Sequence, residues 1–265
     1  PILTCIAAGG DAARAIPLAA SWFLYDLASN IFDDLQDSDD HSLPWSSWGP
    51  GRAINVGLGT LAAAQLCLSL IKAAPKTQTE IQQAMARTFL LAARGQGLPE
   101  EEPLLAWYFE HILAKSGLVF ATVAWAGARI HSQDTEQLKM MHDFGLALGA
   151  LIQLGDDCYD LIPRQASGDL SLGQFTLPMI YGLSQRERPQ HARLAALLRA
   201  DRAMTPEEIE EARQILVDMS AIPFSLSVAK VYEQKALAAL DACCLEDSIY
   251  LRNYVSQLLP PFPKP

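Results

Sequence analysis

The stretch from residue 11 to residue 37, DAARAIPLAASWFLYDLASNIFDDLQD, decides the fold of this chain. Apolar side chains recur at helical spacing on almost every face of it, a pattern typical of a helix at the centre of a bundle. It ends in the acidic residues Asp33, Asp34 and Asp37, and the polar sequence SDDHSLPWSSWGPG at 38–51 follows as a loop. The stretch therefore predicts a central helix whose end carries carboxylates.

The same spacing of aspartates occurs again at the end of a second long apolar stretch, with Asp156, Asp157 and Asp160. Residues i, i+1 and i+4 of a helix share one face, because each residue turns the chain by about 100°. Each cluster therefore crowds like charges near the negative end of its helix dipole, which is unfavourable unless a cation compensates. A solvated helix end is the alternative for one such cluster, and the repetition on two apolar helices argues against it.

Carboxylate oxygens suit Mg²⁺, which is typically held by one or two of them together with oxygens of a bound phosphate. The two clusters thus predict a magnesium diphosphate site. Its expected metal ligands are Asp33, Asp34, Asp37, Asp156, Asp157 and Asp160. The cysteines and histidines show no zinc-type spacing.

Composition indicates a single domain over residues 1–265. The chain is 50% hydrophobic and 19% charged, and single cores grow to roughly 250–300 residues. The net charge is −10. Binding to nucleic acid or to an anionic membrane requires a basic surface, so neither partner is expected. The five cysteines form no disulfide-type pattern, which favours a reducing cytoplasmic location.

Glycine and proline divide the rest of the chain into helices, and no stretch shows the alternation of a β-strand, so an all-α fold is expected. Helices are predicted at 52–74, 77–94, 103–130 with an interruption near Gly117, and 135–161. Another is predicted to begin at Pro206, where Thr205 and Glu208 form a capping box. The uncharged stretch 53–71 is long enough to cross a membrane. Its polar residues and glycines favour a buried core helix instead, and no transmembrane segment is expected.

Motifs between residues 1 and 181 resemble, in order, those of the trans-isoprenyl diphosphate synthases. They are Gly9-Gly10-Asp11, the first aspartate cluster, Gly95-Gln96, Lys115-Ser116-Gly117, Gly149 to Gly155 with the second cluster, Gly168-Asp169-Leu170, and Gly173 to Pro178. The resemblance implies the isoprenoid synthase fold, a single bundle of long helices around a central cavity. Pro1 resembles the last residue of a basic motif, so the N-terminal helices of the family would precede it.

The resemblance also implies a reaction. Mg²⁺ would bridge the aspartates to an allylic prenyl diphosphate, Lys115 would neutralise charge as the C–O bond ionises, and Gln153 and Ser116 would lie near the carbocation and the diphosphate. Asp33, Asp37 and Asp156 would ligate the metal directly. Asp34, Asp157 and Asp160 would either ligate it or orient its bound water. Isopentenyl diphosphate would capture that cation, and a homodimer is the expected assembly. The substrate-binding residues expected on the same ground are Arg52, Gln96, Ser116, Arg164, Gln174 and Thr176.

Several cations of that family are missing from this sequence. The loop at 38–51 contains no Arg-Arg-Gly motif, and only Arg52 follows it closely. Gln174 stands where a lysine is expected, with Arg164 as a candidate substitute. Because arginine is preferred for bidentate phosphate binding, these losses affect an isopentenyl diphosphate site more than the metal-bound allylic site. Three hypotheses follow: a prenyltransferase that elongates an allylic diphosphate, a class I terpene cyclase, and a non-catalytic synthase subunit.

Overall fold

The computed structural model describes residues 1–37, 43–96, 105–159, 161, 170, 175–200, 202, 204–243, 245 and 247–259. Every regular element within these residues is helical, as the sequence predicts. The first seven helices are α1 Ile2–Ala7, α2 Ala12–Asp37, α3 Pro50–Ser69, α4 Pro75–Gln96, α5 Leu105–Ile112, α6 Leu118–Arg129 and α7 Thr135–Tyr159. The later ones are α8 Leu177–Ser184, α9 His191–Leu198, α10 Pro206–Asp218, α11 Ala221–Ala242 and α12 Ile249–Gln257. A 3₁₀ turn, Pro44–Ser47, precedes α3, and a π-helical turn, Leu113–Gly117, joins α5 to α6.

Helices α2 and α7 are packed into the hydrophobic core and carry the two acidic clusters at their C-terminal ends. Helix α7 packs against both α6 and α11, and its residues Met141, Leu151 and Leu154 are fully buried. Helix α2 packs mainly against α3, and its residues Leu18 and Ile31 are buried as well. The aspartates at the ends of these helices therefore stand on rigid, well-packed elements.

Helix boundaries largely follow the sequence predictions. The capping box at the start of α10 is confirmed, because the Glu208 N–H donates to the Thr205 hydroxyl at 3.3 Å and the Glu208 carboxylate accepts from the Thr205 N–H at 3.0 Å. The interruption expected near Gly117 is the π-helical turn Leu113–Gly117, so the chain stays helical there. Such turns are frequent at functional sites, and this one contains Lys115.

Two glycines let α7 approach the π turn and α6 closely. A Cβ atom at Gly149 would lie 2.5 Å from the carbonyl oxygen of Ser116 and 2.8 Å from Cα of Gly117. A Cβ atom at Gly145 would lie 2.4 Å from the carbonyl oxygen of Phe120. Backbones can approach this closely only where glycine is present, so α7 fixes the position of the π turn.

The prediction that 53–71 forms a buried core helix is wrong for part of its surface. One stripe of α3 packs on α2, where a Cβ at Gly57 would lie 2.6 Å from the ring of Phe32. Elsewhere in the segment 53–71, the apolar side chains of Leu58, Leu66 and Leu70 are 55%, 68% and 64% exposed. The reason is that α3 lies at the surface of the described bundle, so only one of its apolar stripes is covered.

Among the described residues, one helical run, Leu105–Arg129, is long and apolar enough to cross a membrane. Half of its most apolar window is buried inside the fold, as in a core helix. Helices α10 and α11 pass the same test only if they are counted as one span, and they are bent by 64° relative to each other.

Candidate active site

The first acidic cluster faces the π turn. Nζ of Lys115 lies 4.0 Å from Oδ2 of Asp33, with side chains that are 41% and 34% exposed. At this separation the ammonium group partly offsets the negative charge of the cluster. The residue expected to neutralise a diphosphate is therefore adjacent to an expected metal ligand.

A chain of hydrogen bonds leads from the π turn to the second cluster. Next to Lys115, the hydroxyl of Ser116 donates to Oε1 of Gln153 at 2.8 Å. Nε2 of Gln153 then donates to Oδ1 of Asp157 at 3.0 Å, one helical turn further along α7. The residues that the sequence resemblance assigns to the reaction thus lie together, between the two acidic clusters.

Adjacent aspartates of the second cluster have different surroundings. Asp157 is only 2% exposed, and its Oδ2 accepts hydrogen bonds from the hydroxyl of Tyr108 and from the N–H of Leu177, the latter at 3.2 Å. Asp156 is exposed. Both are expected metal ligands, with Asp157 also a candidate to orient bound water, and of the two only Asp156 is exposed.

Adjacent aspartates of the first cluster, Asp33 and Asp34, also contact different groups. In the 3₁₀ turn, Nε1 of Trp45 donates to Oδ2 of Asp34 at 2.6 Å. This hydrogen bond holds the turn against the end of α2. Asp33 lies beside Lys115 instead.

The donors around the clusters fit a hard divalent cation bound together with a diphosphate. The described residues contain no group of three His, Cys, Asp or Glu side chains that could hold an ion, and they exclude Asp160 and the side chain of Asp37. Mg²⁺ needs only one or two carboxylates when phosphate oxygens complete its coordination. Asp33 and Asp156 can supply these from two helices.

A buried hydroxyl beside the second cluster lacks a hydrogen-bond partner among the described residues. Thr176, which precedes α8, is 5% exposed, and its Oγ1 has no hydrogen-bond partner in the described part of the chain. Buried hydroxyl groups are ordinarily paired. The hydroxyl of Thr176 is thus an exception among the described residues, and its binding to a phosphate oxygen stays a prediction.

For the remaining expected substrate-binding residues, the described part of the structure gives no contact with either acidic cluster. The guanidinium group of Arg52 lies over the ring of Trp48, 5.0 Å from its centroid, and the residue is exposed in the first turn of α3. Its binding to a diphosphate stays a prediction. The side chain of Gln96, and all of Arg164 and Gln174, lie outside the described residues.

Sequence reasoning missed two groups that contact the second cluster: Tyr108 and the backbone N–H of Leu177. Tyr108 offered a signal, because a tyrosine in an apolar helix buries a hydroxyl that needs a partner. A backbone N–H carries no sequence signal at all.

Cys158, next to Asp157, has no nucleophilic role here. It is fully buried, and burial, followed by the charge of Asp157, raises the pKa of its thiol to about 12. The thiolate is the reactive form of cysteine, so this side chain contributes to packing.

The family model of polyprenyl synthetase matches residues 2–216, which is most of the chain. The chain belongs to the polyprenyl synthetase family. Among its relatives, an octaprenyl diphosphate synthase of Haemophilus influenzae is 24% identical over an alignment of 276 positions, gaps included, which covers 97% of this chain and 80% of that protein.

Solved structures show the same fold as this polyprenyl synthetase family member. A geranylgeranyl pyrophosphate synthetase of Pyrococcus horikoshii matches with a TM-score of 0.86 and 23% identity, covering 98% of this chain and 84% of that chain. A geranylgeranyl pyrophosphate synthase of Corynebacterium glutamicum, crystallised with calcium and isoprenyl diphosphate, matches with a TM-score of 0.79 and 25% identity. That match covers 97% of this chain and 81% of the other. The predicted isoprenoid synthase fold is thus confirmed.

Proposed function

We propose that the chain is a Mg²⁺-dependent prenyltransferase that ionises an allylic prenyl diphosphate and condenses it with isopentenyl diphosphate. Family membership supports the activity. The observation that carries the proposal is that the π turn contacts both acidic clusters. Its Lys115 lies beside Asp33, and its Ser116 is linked by hydrogen bonds through Gln153 to Asp157. A relative crystallised with calcium and isoprenyl diphosphate supports a divalent cation and a prenyl diphosphate as ligands.

In the proposed reaction each of these residues has its own role. Asp33 and Asp156 would hold Mg²⁺, which would supply Lewis acidity for the leaving diphosphate and a template for its orientation. Lys115 offsets negative charge as the allylic C–O bond breaks and its electron pair leaves with pyrophosphate. Gln153 orients its amide near the cationic carbon. The double bond of isopentenyl diphosphate forms the new C–C bond, and a proton passes to the released pyrophosphate.

Product analysis tests this proposal against its alternatives. The purified chain would be incubated with Mg²⁺ and geranyl, farnesyl or geranylgeranyl diphosphate, with and without isopentenyl diphosphate. We expect longer prenyl diphosphates only when isopentenyl diphosphate is present, and no turnover after removal of Mg²⁺ with a chelator. A hydrocarbon formed without isopentenyl diphosphate would indicate a terpene cyclase, and inactivity at high enzyme concentration would indicate a non-catalytic subunit.

Product length is proposed to depend on Tyr25. This residue lies eight positions before Asp33 on α2, or about 12 Å along the helix axis. Its ring is 4% exposed and stacks on Phe89 with 4.0 Å between centroids, while Gln65 donates a hydrogen bond to its hydroxyl. A ring held on two sides forms a rigid barrier to a prenyl chain that grows along α2.

We expect Tyr25→Ala to shift the products toward chains that are longer by at least one isoprene unit, because it removes that barrier. Tyr25→Phe keeps the ring and is the matched control, with unchanged product length. Chain lengths would be measured by mass spectrometry of the dephosphorylated products. Identical product distributions for wild type and Tyr25→Ala would contradict the role of Tyr25.

We also propose that two copies of the chain associate through the uncovered apolar surface of α2 and α3. Phe23 is 64% exposed on α2. Leu58 and Leu66 on α3, and Leu70 directly after it, are each more than half exposed. Large contiguous apolar patches on a protein surface mark interaction sites. A second copy can cover this patch with the same side chains, as in an isologous dimer.

The double substitution Leu66→Glu with Leu70→Glu is expected to produce monomers, because it would bury repelling charges in a two-fold interface. Val231→Glu is the control, since Val231 is 47% exposed on α11 and lies on another helix pair. Sedimentation equilibrium measures the mass in solution. A dimer that persists in the double variant, or is lost in the control, would contradict this interface.

A cytoplasmic location is proposed as well. Among the described residues, Cys5, Cys67 and Cys158 are free thiols. Unpaired cysteines are typical of reducing compartments.

A further inference from the structure

We propose that Trp45 is a positioning residue for the first acidic cluster: its indole N–H holds the Asp34 carboxylate in the orientation in which that side chain serves the cation, directly or through bound water. The inference rests on the proposed function, because it takes the cation and its diphosphate as ligands of the cluster. It gives a part in the reaction to a residue of the loop segment 38–51.

The contact between Trp45 and Asp34 joins a neutral donor to a carboxylate. Nε1 of Trp45 lies 2.6 Å from Oδ2 of Asp34, which is short, as expected for a hydrogen bond to an ionised acceptor. An indole N–H can only donate and an ionised carboxylate can only accept, so the polarity of this bond is fixed. It engages one oxygen only, so Oδ1 can still bind the cation or its water.

Repulsion within the cluster explains why such a donor matters. Asp33 and Asp34 are adjacent, and two carboxylates this close repel each other unless a positive group stands near them. Lys115 partly offsets Asp33, with 4.0 Å between Nζ and Oδ2, while Asp34 receives the N–H of Trp45. Each side chain is therefore oriented by a protein group before a cation binds, which is how a site is preorganised.

Trp45 is itself held by the 3₁₀ turn that contains it. Pro44 begins this turn with a φ angle that its ring fixes, and the hydroxyl of Ser47 donates to the Pro44 carbonyl at 2.9 Å. The N–H of Trp48 donates to the Trp45 carbonyl at 3.1 Å. The turn packs against both α2 and α3. The indole is thus a brace between the end of one helix and the start of the next.

Packing alone does not account for Trp45. The tryptophans Trp22, Trp107 and Trp125 pack on the hydrophobic core, whereas Trp45 is half-buried in a short turn. The N–H of a tryptophan generally finds an acceptor, but that need is met by any carbonyl oxygen. Here the acceptor is a carboxylate of the candidate site, which indicates a role in that site.

Trp45→Phe keeps an aromatic ring in the turn and removes the donor. Loss of a hydrogen bond to a metal-binding group lowers metal affinity by about 10- to 100-fold, so we expect the Mg²⁺ midpoint to rise by about tenfold or more. Binding of inorganic pyrophosphate, followed by calorimetry over a series of Mg²⁺ concentrations, measures this midpoint without turnover. At saturating Mg²⁺ the affinity for pyrophosphate should return to within about twofold of wild type, by mass action.

Ser47→Ala is the matched control in the same turn. It removes a hydrogen bond that does not involve Asp34, so its Mg²⁺ midpoint should stay within about twofold of wild type. Equal shifts in Trp45→Phe and Ser47→Ala would show that only the integrity of the turn matters and would overturn the inference. An unchanged midpoint in Trp45→Phe would overturn it too. A lowered midpoint would show that the indole competes with the cation for Asp34, the opposite of positioning.

A double-variant cycle shows whether Trp45 acts through Asp34. The Mg²⁺ midpoint would be measured for Trp45→Phe, for Asp34→Ala and for both substitutions together. We expect the double variant to match Asp34→Ala within about threefold, because coupled residues do not act additively. Shifts that multiply would refute the coupling. If thermal unfolding shows that Trp45→Phe does not fold, Trp45→Tyr takes its place, since its hydroxyl does not stand at the position of the indole nitrogen.

The same titration separates this inference from the proposed function. Wild-type protein that binds pyrophosphate in a Mg²⁺-dependent manner but transfers no prenyl group in the product assay would contradict the proposed function alone, and the comparison of Trp45→Phe with Ser47→Ala would still decide the role of Trp45. Wild-type protein without any Mg²⁺-dependent binding of pyrophosphate would overturn both.

Discussion

Replacing Asp156 with alanine is expected to lower kcat by about 1,000-fold or more. Metal coordination supplies several kcal/mol of charge stabilisation to the departing diphosphate, and each ~1.4 kcal/mol corresponds to a factor of ten in rate. Asp33→Ala should have a comparable effect, because Asp33 lies at the other end of the polar path, next to Lys115. Steady-state rates of prenyl transfer at saturating Mg²⁺ measure both variants.

A carboxylate outside the clusters provides the control for this prediction. Asp143 lies on α7, as Asp156 does, and forms an exposed ion pair with Lys139 at 3.0 Å. Exposed ion pairs contribute little free energy, so Asp143→Ala should retain wild-type kcat. Retention of more than a tenth of the wild-type rate by Asp33→Ala or Asp156→Ala would contradict their assignment as metal ligands.

Replacing Gly149 with alanine is expected to lower kcat by about 100-fold and to destabilise the fold. The added Cβ would lie 2.5 Å from the carbonyl oxygen of Ser116, so the π turn must move away from α7. Overpacking of this kind costs about 1–3 kcal/mol, and a displacement of ~1 Å at a catalytic group can cost about 10²-fold in rate. The same movement would weaken the hydrogen bond from Ser116 to Gln153. Thermal unfolding and steady-state kinetics would measure the two effects.

Gly59→Ala is the control for this substitution. Gly59 lies in α3, where no atom stands within 4 Å of an added Cβ, so both kcat and the fold should be retained. Wild-type kcat in Gly149→Ala would show that the close approach of α7 does not position Lys115 and Ser116.

The sequence predicts those parts of the fold that depend on local pattern. Helices α2 and α7 follow from their apolar periodicity, and the capping box of Thr205 and Glu208 follows from residue types at fixed spacing. The two acidic clusters and Lys115 are also visible, because each carries its chemistry in its own side chain. Their proximity in space depends on packing and was available only through the family resemblance.

The sequence cannot predict features that depend on which neighbours surround a side chain. Asp156 and Asp157 are chemically identical and adjacent, and one is exposed while the other accepts three hydrogen bonds. The close approach of the π turn to α7 depends on Gly149, which admits the backbone of Ser116, a contact between residues far apart in sequence. The exposure of Leu66 likewise reflects the surface position of α3, which its apolar composition does not reveal.

The transfer of a prenyl group to isopentenyl diphosphate is the central claim, and isotope incorporation tests it most directly. The chain would be incubated with Mg²⁺, unlabelled farnesyl diphosphate and uniformly ¹³C-labelled isopentenyl diphosphate, and the products analysed by mass spectrometry. We predict prenyl diphosphates in which every added unit carries the label. Products that contain no label would contradict the claim.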